Sequence, residues 1–236
     1  MSYHNKSKEK LIERNQEERE HSQAYELFLK QKDSKDYAIK REGYQDDLLD
    51  MIYPEERKSV ESIIVTLFEQ QDVDVLKFMK DLTTVDGISI VEEQYKRMSE
   101  QVIDKPNIAR YLYTHTKKPI YLEDLRGYCF DGTLQQREEA IKNLSTLAMD
   151  VKREEIPLVY EVSRLIIMKE NDSELLFWAK AIMRKCIKRL DIIGDNEQLR
   201  KLWEEVEDAI KKGSCEIRTE KLLAFEEKII SDNAIK

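Results

Sequence analysis

The chain has little of the two residues that interrupt helices. Its 236 residues include six Gly and four Pro, against roughly 17 and 12 at average usage. Sheet proteins rely on both for their turns, so scarcity of both points to helix throughout. No run of 18 apolar residues occurs, which leaves no candidate for a membrane-spanning helix. The opening segment MSYHNKSKEK has charge with no apolar stretch behind it, so no secretory signal is read there. The three cysteines, Cys129, Cys186 and Cys215, are an odd set without metal-ligand spacing, and reduced thiols in a cytoplasmic protein are expected. A positive balance is also missing: the net charge is −8. Phosphate neutralisation supplies much of the affinity of nucleic-acid binders, so the acidic total argues against nucleic acid as the partner.

What is present is dense charge and strong helical periodicity. Charged residues make up 37% of the chain and hydrophobic ones 41%, enough apolar surface to fold. Residues 1–45 read as a charged helical arm and hinge. The block KSKEKLIERNQEEREHSQA is polar but for Leu11 and Ile12, until Ala24, Tyr25, Leu27 and Phe28 appear. Opposite charges three or four apart support helix there, either as a solvated arm or as a docking or dimerisation element. Residues 46–236 read as an all-α domain. In ISIVEEQYKRMSEQVI the apolar residues Ile88, Val91, Tyr95, Met98 and Val102 step by three and four, one buried stripe of an amphipathic helix. Further helices are expected at 55–70, 72–83, 106–115, 120–130, 133–149, 156–169, 173–190, 196–212 and 216–231. The short links between them favour antiparallel neighbours.

Shifting the chain by 38 residues sets PIYLEDLR (119–126) over PLVYEVSR (157–164). Proline, glutamate and arginine coincide, and Ile141, Leu144 and Ala148 fall over Ala179, Ile182 and Cys186. Proline suits the first turn of a helix, where its missing N–H costs nothing. Over residues 118–190 this two-helix unit of about 40 residues resembles the HEAT and armadillo class of α-solenoids. The resemblance implies antiparallel helix pairs stacked about a continuous core, with an extended surface that grips another macromolecule.

Three stretches invite a chemical reading. In IARYLYTHTKKP, Arg110 and His115 are spaced as in the R-x4-6-H pair of HEPN-type ribonucleases. That resemblance implies RNA cleavage by those two side chains. Five residues of helix rotate by about 500°, however, which leaves them about 140° apart. YCFDGTLQQ resembles the D-x-D-G-T loop of haloacid-dehalogenase-type phosphatases, but Cys129 stands where the nucleophilic aspartate belongs and only Asp131 is kept. Thr133 and Gln136 fit a capping box for the helix that follows.

The third stretch, FWAKAIMRKCIKRLD, places Lys180, Arg184, Lys185, Lys188 and Arg189 on one side of a helix, with no acid before Asp191. A basic amphipathic helix can meet an acidic partner, a phosphate backbone or a membrane surface. Alternatively Glu204, Glu205, Glu207 and Asp208 of the next helix neutralise it internally. Met149, Met168, Met183, Trp178 and Trp203 are expected in the core. No glycine-rich phosphate loop, H-x-x-x-H pair or calcium loop is found, and no cofactor is expected. The reading is a non-enzymatic protein-interaction module (an adaptor, inhibitor or immunity-type protein) whose partner is another protein. The alternatives are a HEPN-like ribonuclease using Arg110 and His115, or a nucleic-acid adaptor using the basic helix.

Overall fold

The computed structural model describes residues 20–34 and 43–233, and the described residues are helical with no strand. They fall into two compact units, divided between Met98 and Ser99. The N-terminal block up to residue 19 and the segment 35–42 lie outside the described residues.

The first unit contains α1 (Gln23–Asp33), the single turn α2 (Leu48–Met51), α3 (Arg57–Glu69), a 3-10 helix (Val73–Asp81) and α4 (Gly87–Arg97). α1 begins where the Ser22 hydroxyl accepts the Tyr25 amide, an N-cap that satisfies one orphan donor. This helix belongs to the arm, yet it is packed. Phe28 is 1% exposed, its ring 5.3 Å from Tyr44, and the Gln31 amide donates to the Gly43 carbonyl. Polar composition hid this, because one large aromatic anchors a short helix that is otherwise solvated.

Two buried carboxylates fix the loops of this unit. Glu56 accepts from the Ser22 amide and hydroxyl at 3.0 and 2.6 Å and from the Tyr53 amide at 2.9 Å. Glu61, fully buried, accepts from the amides and hydroxyls of both Thr83 and Thr84 and from Arg57 Nε. Gly87 starts α4 against the 3-10 helix so closely that a Cβ there would lie 2.0 Å from the Met79 carbonyl oxygen. The apolar stripe continues past α4, but the helix stops at Met98. The Ser99 hydroxyl accepts the Gln101 amide, a local bond that competes with helical pairing.

The second unit is a run of helices: α5 (Lys105–Thr116), α6 (Pro119–Asp131), α7 (Leu134–Leu147), α8 (Ile156–Lys169), α9 (Ser173–Arg189), α10 (Glu197–Lys212) and α11 (Cys215–Asn233). Pro106, Pro119 and Pro157 each sit in the first turn of a helix. The capping box is present, with Thr133 accepting the Gln136 amide and Gln136 accepting the Thr133 amide. Consecutive helices pack as pairs, α6 on α7, α8 on α9 and α10 on α11, and α7 packs against α9.

The 38-residue shift superposes equivalent places in successive pairs. Ile141, Leu144 and Ala148, and their counterparts Ala179, Ile182 and Cys186, are all fully buried. Glu123–Arg126 and Glu161–Arg164 form the same i,i+3 ion pair, at 3.0 and 3.5 Å. Met183 and Trp203 are core residues as expected, Trp203 lying 5.6 Å from the Phe225 ring. Met149 is not, being 45% exposed just beyond the end of α7.

Cations are repeatedly spent on helix ends. Arg137 donates to the Cys129 carbonyl at the end of α6. Arg218, 3% exposed, donates to the carbonyls of Ile167 and Glu170 at the end of α8 and of Gly213. The last carbonyls of a helix lack intrahelical donors and carry the negative end of its dipole, so a buried guanidinium is stable there.

Candidate functional site

α9 carries the five candidate cations, and the structure gives them different partners. Lys185 donates to the Ser145 carbonyl at 2.6 Å. Arg189 donates to the carbonyls of Ala148 and Val151 at 2.9 and 2.7 Å. Both therefore hold the C-terminal end of α7, a role in stacking one helix pair on the next. Arg184 makes a two-pronged pair with Glu207 of α10, one prong at 2.7 Å. That hydrogen bonding raises the guanidinium pKa above its ordinary value. Lys180 is half-buried and lies 5.9 Å from the centre of the Phe177 ring. Lys188 is exposed.

Sequence reasoning passed over Phe177, although it is 55% exposed and sits beside Trp178 with ring centroids 5.1 Å apart. It borders a groove of about 400 Å³ between the start of α9 and the turn joining α10 to α11. Leu176 and Ile210 give this groove apolar walls; Lys180, Lys211 and Lys212 make its rim basic. A detectable signal was the apolar Phe177 at a position that the buried stripe of Ala179, Ile182, Met183 and Cys186 does not include.

Carboxylates near the groove are already engaged. Asp208 pairs with Lys211 at 3.2 Å, Asp172 caps α9 through the amides of Glu174 and Leu175, and Glu174 faces Lys142 at 3.1 Å. Glu170 pairs with Arg137. Among the described residues, Lys180 and Lys212 have no carboxylate partner.

Arg110 and His115 do not share a face of α5. Arg110 is half-buried, and its carbonyl accepts the Thr114 hydroxyl. His115 is exposed, its ring 4.4 Å from Tyr111. Of the phosphatase-like stretch, Cys129 is buried and its thiol pKa is pushed far up by burial. Cys186 is pushed up to about 11, again mainly by burial, so neither thiolate is readily formed.

A second cleft, about 790 Å³, lies along residues 190–199 against Lys228 and Asp232. Three of its polar side chains engage one another, Asp232 accepting from Asn196 at 2.8 Å and pairing with Lys228 at 2.7 Å. Among the described residues no group of three or more His, Cys, Asp or Glu is placed to hold a metal ion. No helix among them is long and apolar enough to cross a membrane. No protein-family model matches the chain, and no curated protein or solved structure is significantly similar to it.

Proposed function

We propose that this chain is a non-enzymatic protein-interaction module, built on HEAT-like stacking of helix pairs, that binds a protein partner along α9. The observation that carries this reading is the groove at Phe177. A large aromatic left more than half exposed beside two lysines with no carboxylate partner among the described residues is the composition of a binding surface, in a structure otherwise rich in paired charge. On α9 the partner-facing cations are Lys180 and Lys188, with the exposed part of Arg184, and Lys212 faces the partner across the groove. Lys185 and Arg189 act behind them by fixing α7 under the surface.

The same distribution disfavours nucleic acid. A phosphate backbone is gripped by many free cations, and three of the five on α9 are already bonded within the fold. The cytoplasm is the setting we propose, because an odd set of three cysteines without metal-ligand spacing is expected to stay reduced there.

The test is quantitative capture of proteins from a cell extract on the immobilised full chain, with Phe177→Ala as the matched control. The expected result is a protein retained by the wild type and depleted on the variant. A wild-type chain that retains nothing the variant lacks refutes a partner site at Phe177. Retention of RNA, with cleavage abolished by His115→Ala, would instead favour the ribonuclease reading.

A further inference from the structure

Resting on that reading, we propose that the groove between the start of α9 and the α10–α11 turn takes an acidic peptide segment carrying one large apolar side chain. The apolar side chain seats against Phe177, Leu176 and Ile210, and flanking carboxylates face Lys180 and Lys212.

The argument starts from charge. The chain carries −8 overall, so an acidic ligand is repelled by the net charge and needs a local basic exception. The groove rim is such an exception. Lys211 is the third lysine there, and its charge is already offset by Asp208. The other acids near the groove are engaged by other groups: Asp172 by backbone amides, Glu174 by Lys142, Glu170 by Arg137 and Glu216 by the Ser214 hydroxyl. Arg218, at the groove floor, is consumed by carbonyls of α8 and of Gly213. Lys180 and Lys212 thus present positive charge that no described residue neutralises.

The apolar component narrows the ligand further. Phe177 is 55% exposed, and the positive end of Lys180 lies over its ring, an arrangement that keeps the ammonium near the groove at little cost in freedom. A cavity of about 400 Å³ admits one large side chain with its neighbouring backbone. Two cations without a carboxylate partner among the described residues are too few for a phosphate backbone, and a concave apolar patch cannot lie flat on a lipid surface. Hydrophobic anchoring with electrostatic registration of carboxylates is the mode that fits.

The test uses the full chain and fluorescein-labelled short peptides of Glu and Asp around a central Phe or Leu, followed by anisotropy. Controls replace the central residue by Ala, or every acid by Lys. Acidic peptides with the apolar centre are expected to bind, and both controls to bind at least roughly tenfold more weakly. Phe177→Ala and the pair Lys180→Glu, Lys212→Glu should each lower the affinity by about tenfold or more while the melting temperature stays unchanged. Binding should weaken with salt in the wild type and lose most of that dependence in the lysine variant.

The inference is overturned by absence of binding at about 1 mM peptide, by equal binding of the Lys-substituted control, or by affinity indifferent to both variants. Lysine-dependent binding of oligo-dT or of anionic vesicles, with none of the acidic peptides, overturns it equally. If peptides fail but a protein is still captured from extract in a Phe177-dependent way, the module reading stands and only the occupant is wrong.

Discussion

Replacing Glu61 by Gln should remove the largest acid-side contribution to the stability of the first unit. The carboxylate is fully buried, and burial alone would raise its pKa. Hydrogen bonds from Thr84, Arg57 and Thr83 overcome that and bring it from 4.5 to about 2. A folded pKa below the unfolded value means the unfolded chain binds the proton more tightly. The stabilisation is therefore complete above about pH 4.5 and lost as pH falls towards 2. At ~1.4 kcal/mol per pH unit, the interval corresponds to about 3 kcal/mol. An amide at this position keeps the shape but carries no charge, and its NH2 opposes donors on one side.

Hydrogen exchange on the full chain, read in peptides covering 57–69 and 82–86 and corrected for intrinsic rates, gives the opening free energy locally. Fluorescence would miss it, because both tryptophans, Trp178 and Trp203, lie in the second unit. The wild type should exceed Glu61→Gln by about 3 kcal/mol at pH 7, by roughly half that near pH 3, and by little near pH 2. A gap that stays constant from pH 7 to pH 3, or a variant as protected as the wild type at pH 7, refutes the reasoning.

Two further outcomes are expected. Phe28→Ala, which empties a site 1% exposed, should cost about 3–5 kcal/mol, read as lost protection across α1 and α3; an unchanged profile would return α1 to the solvated arm. Arg184→Glu should lower the melting temperature modestly, since Arg184 is 52% exposed and exposed pairs contribute about 1 kcal/mol or less. Adding Glu207→Lys should restore it through coupling, and failure of that rescue in Trp203 fluorescence would mean the pair is not formed in solution.

Helix positions were legible because periodicity and punctuation agreed. Pro119 and Pro157 mark true starts, Thr133–Gln136 caps the helix it announces, and of the stripe that the spacing gives for α9, Ala179, Ile182, Met183 and Cys186 are buried while Leu190, just past its end, is half-buried. Two features were not legible. The end of α4 depends on the Ser99 hydroxyl bonding the Gln101 amide, and no breaker residue announces that in the sequence. The packing of α1 depends on Tyr44 and Glu56, residues 16 and 34 positions from Phe28 and Ser22, whereas local composition there reads as solvated.

The five cations of α9 show which partners a sequence can reveal. A carboxylate partner announces itself by residue type, so the acids of α10 were a visible match for Arg184, and Glu207 is the one it meets. A backbone carbonyl belongs to every residue, so nothing in the sequence marks Ser145, Ala148 or Val151 as acceptors for Lys185 and Arg189. Those carbonyls lie 40, 41 and 38 residues back, about one helix pair, so these bonds arise only once one pair has stacked on the next. An unpaired lysine is no evidence of a ligand by itself, because water solvates an ammonium well. Lys180 and Lys212 differ from Lys188 in what they surround. Phe177 beside them forgoes the burial that an aromatic ring favours by about 25 cal/mol per Å², and a partner covering it would recover that while supplying the carboxylates the rim lacks.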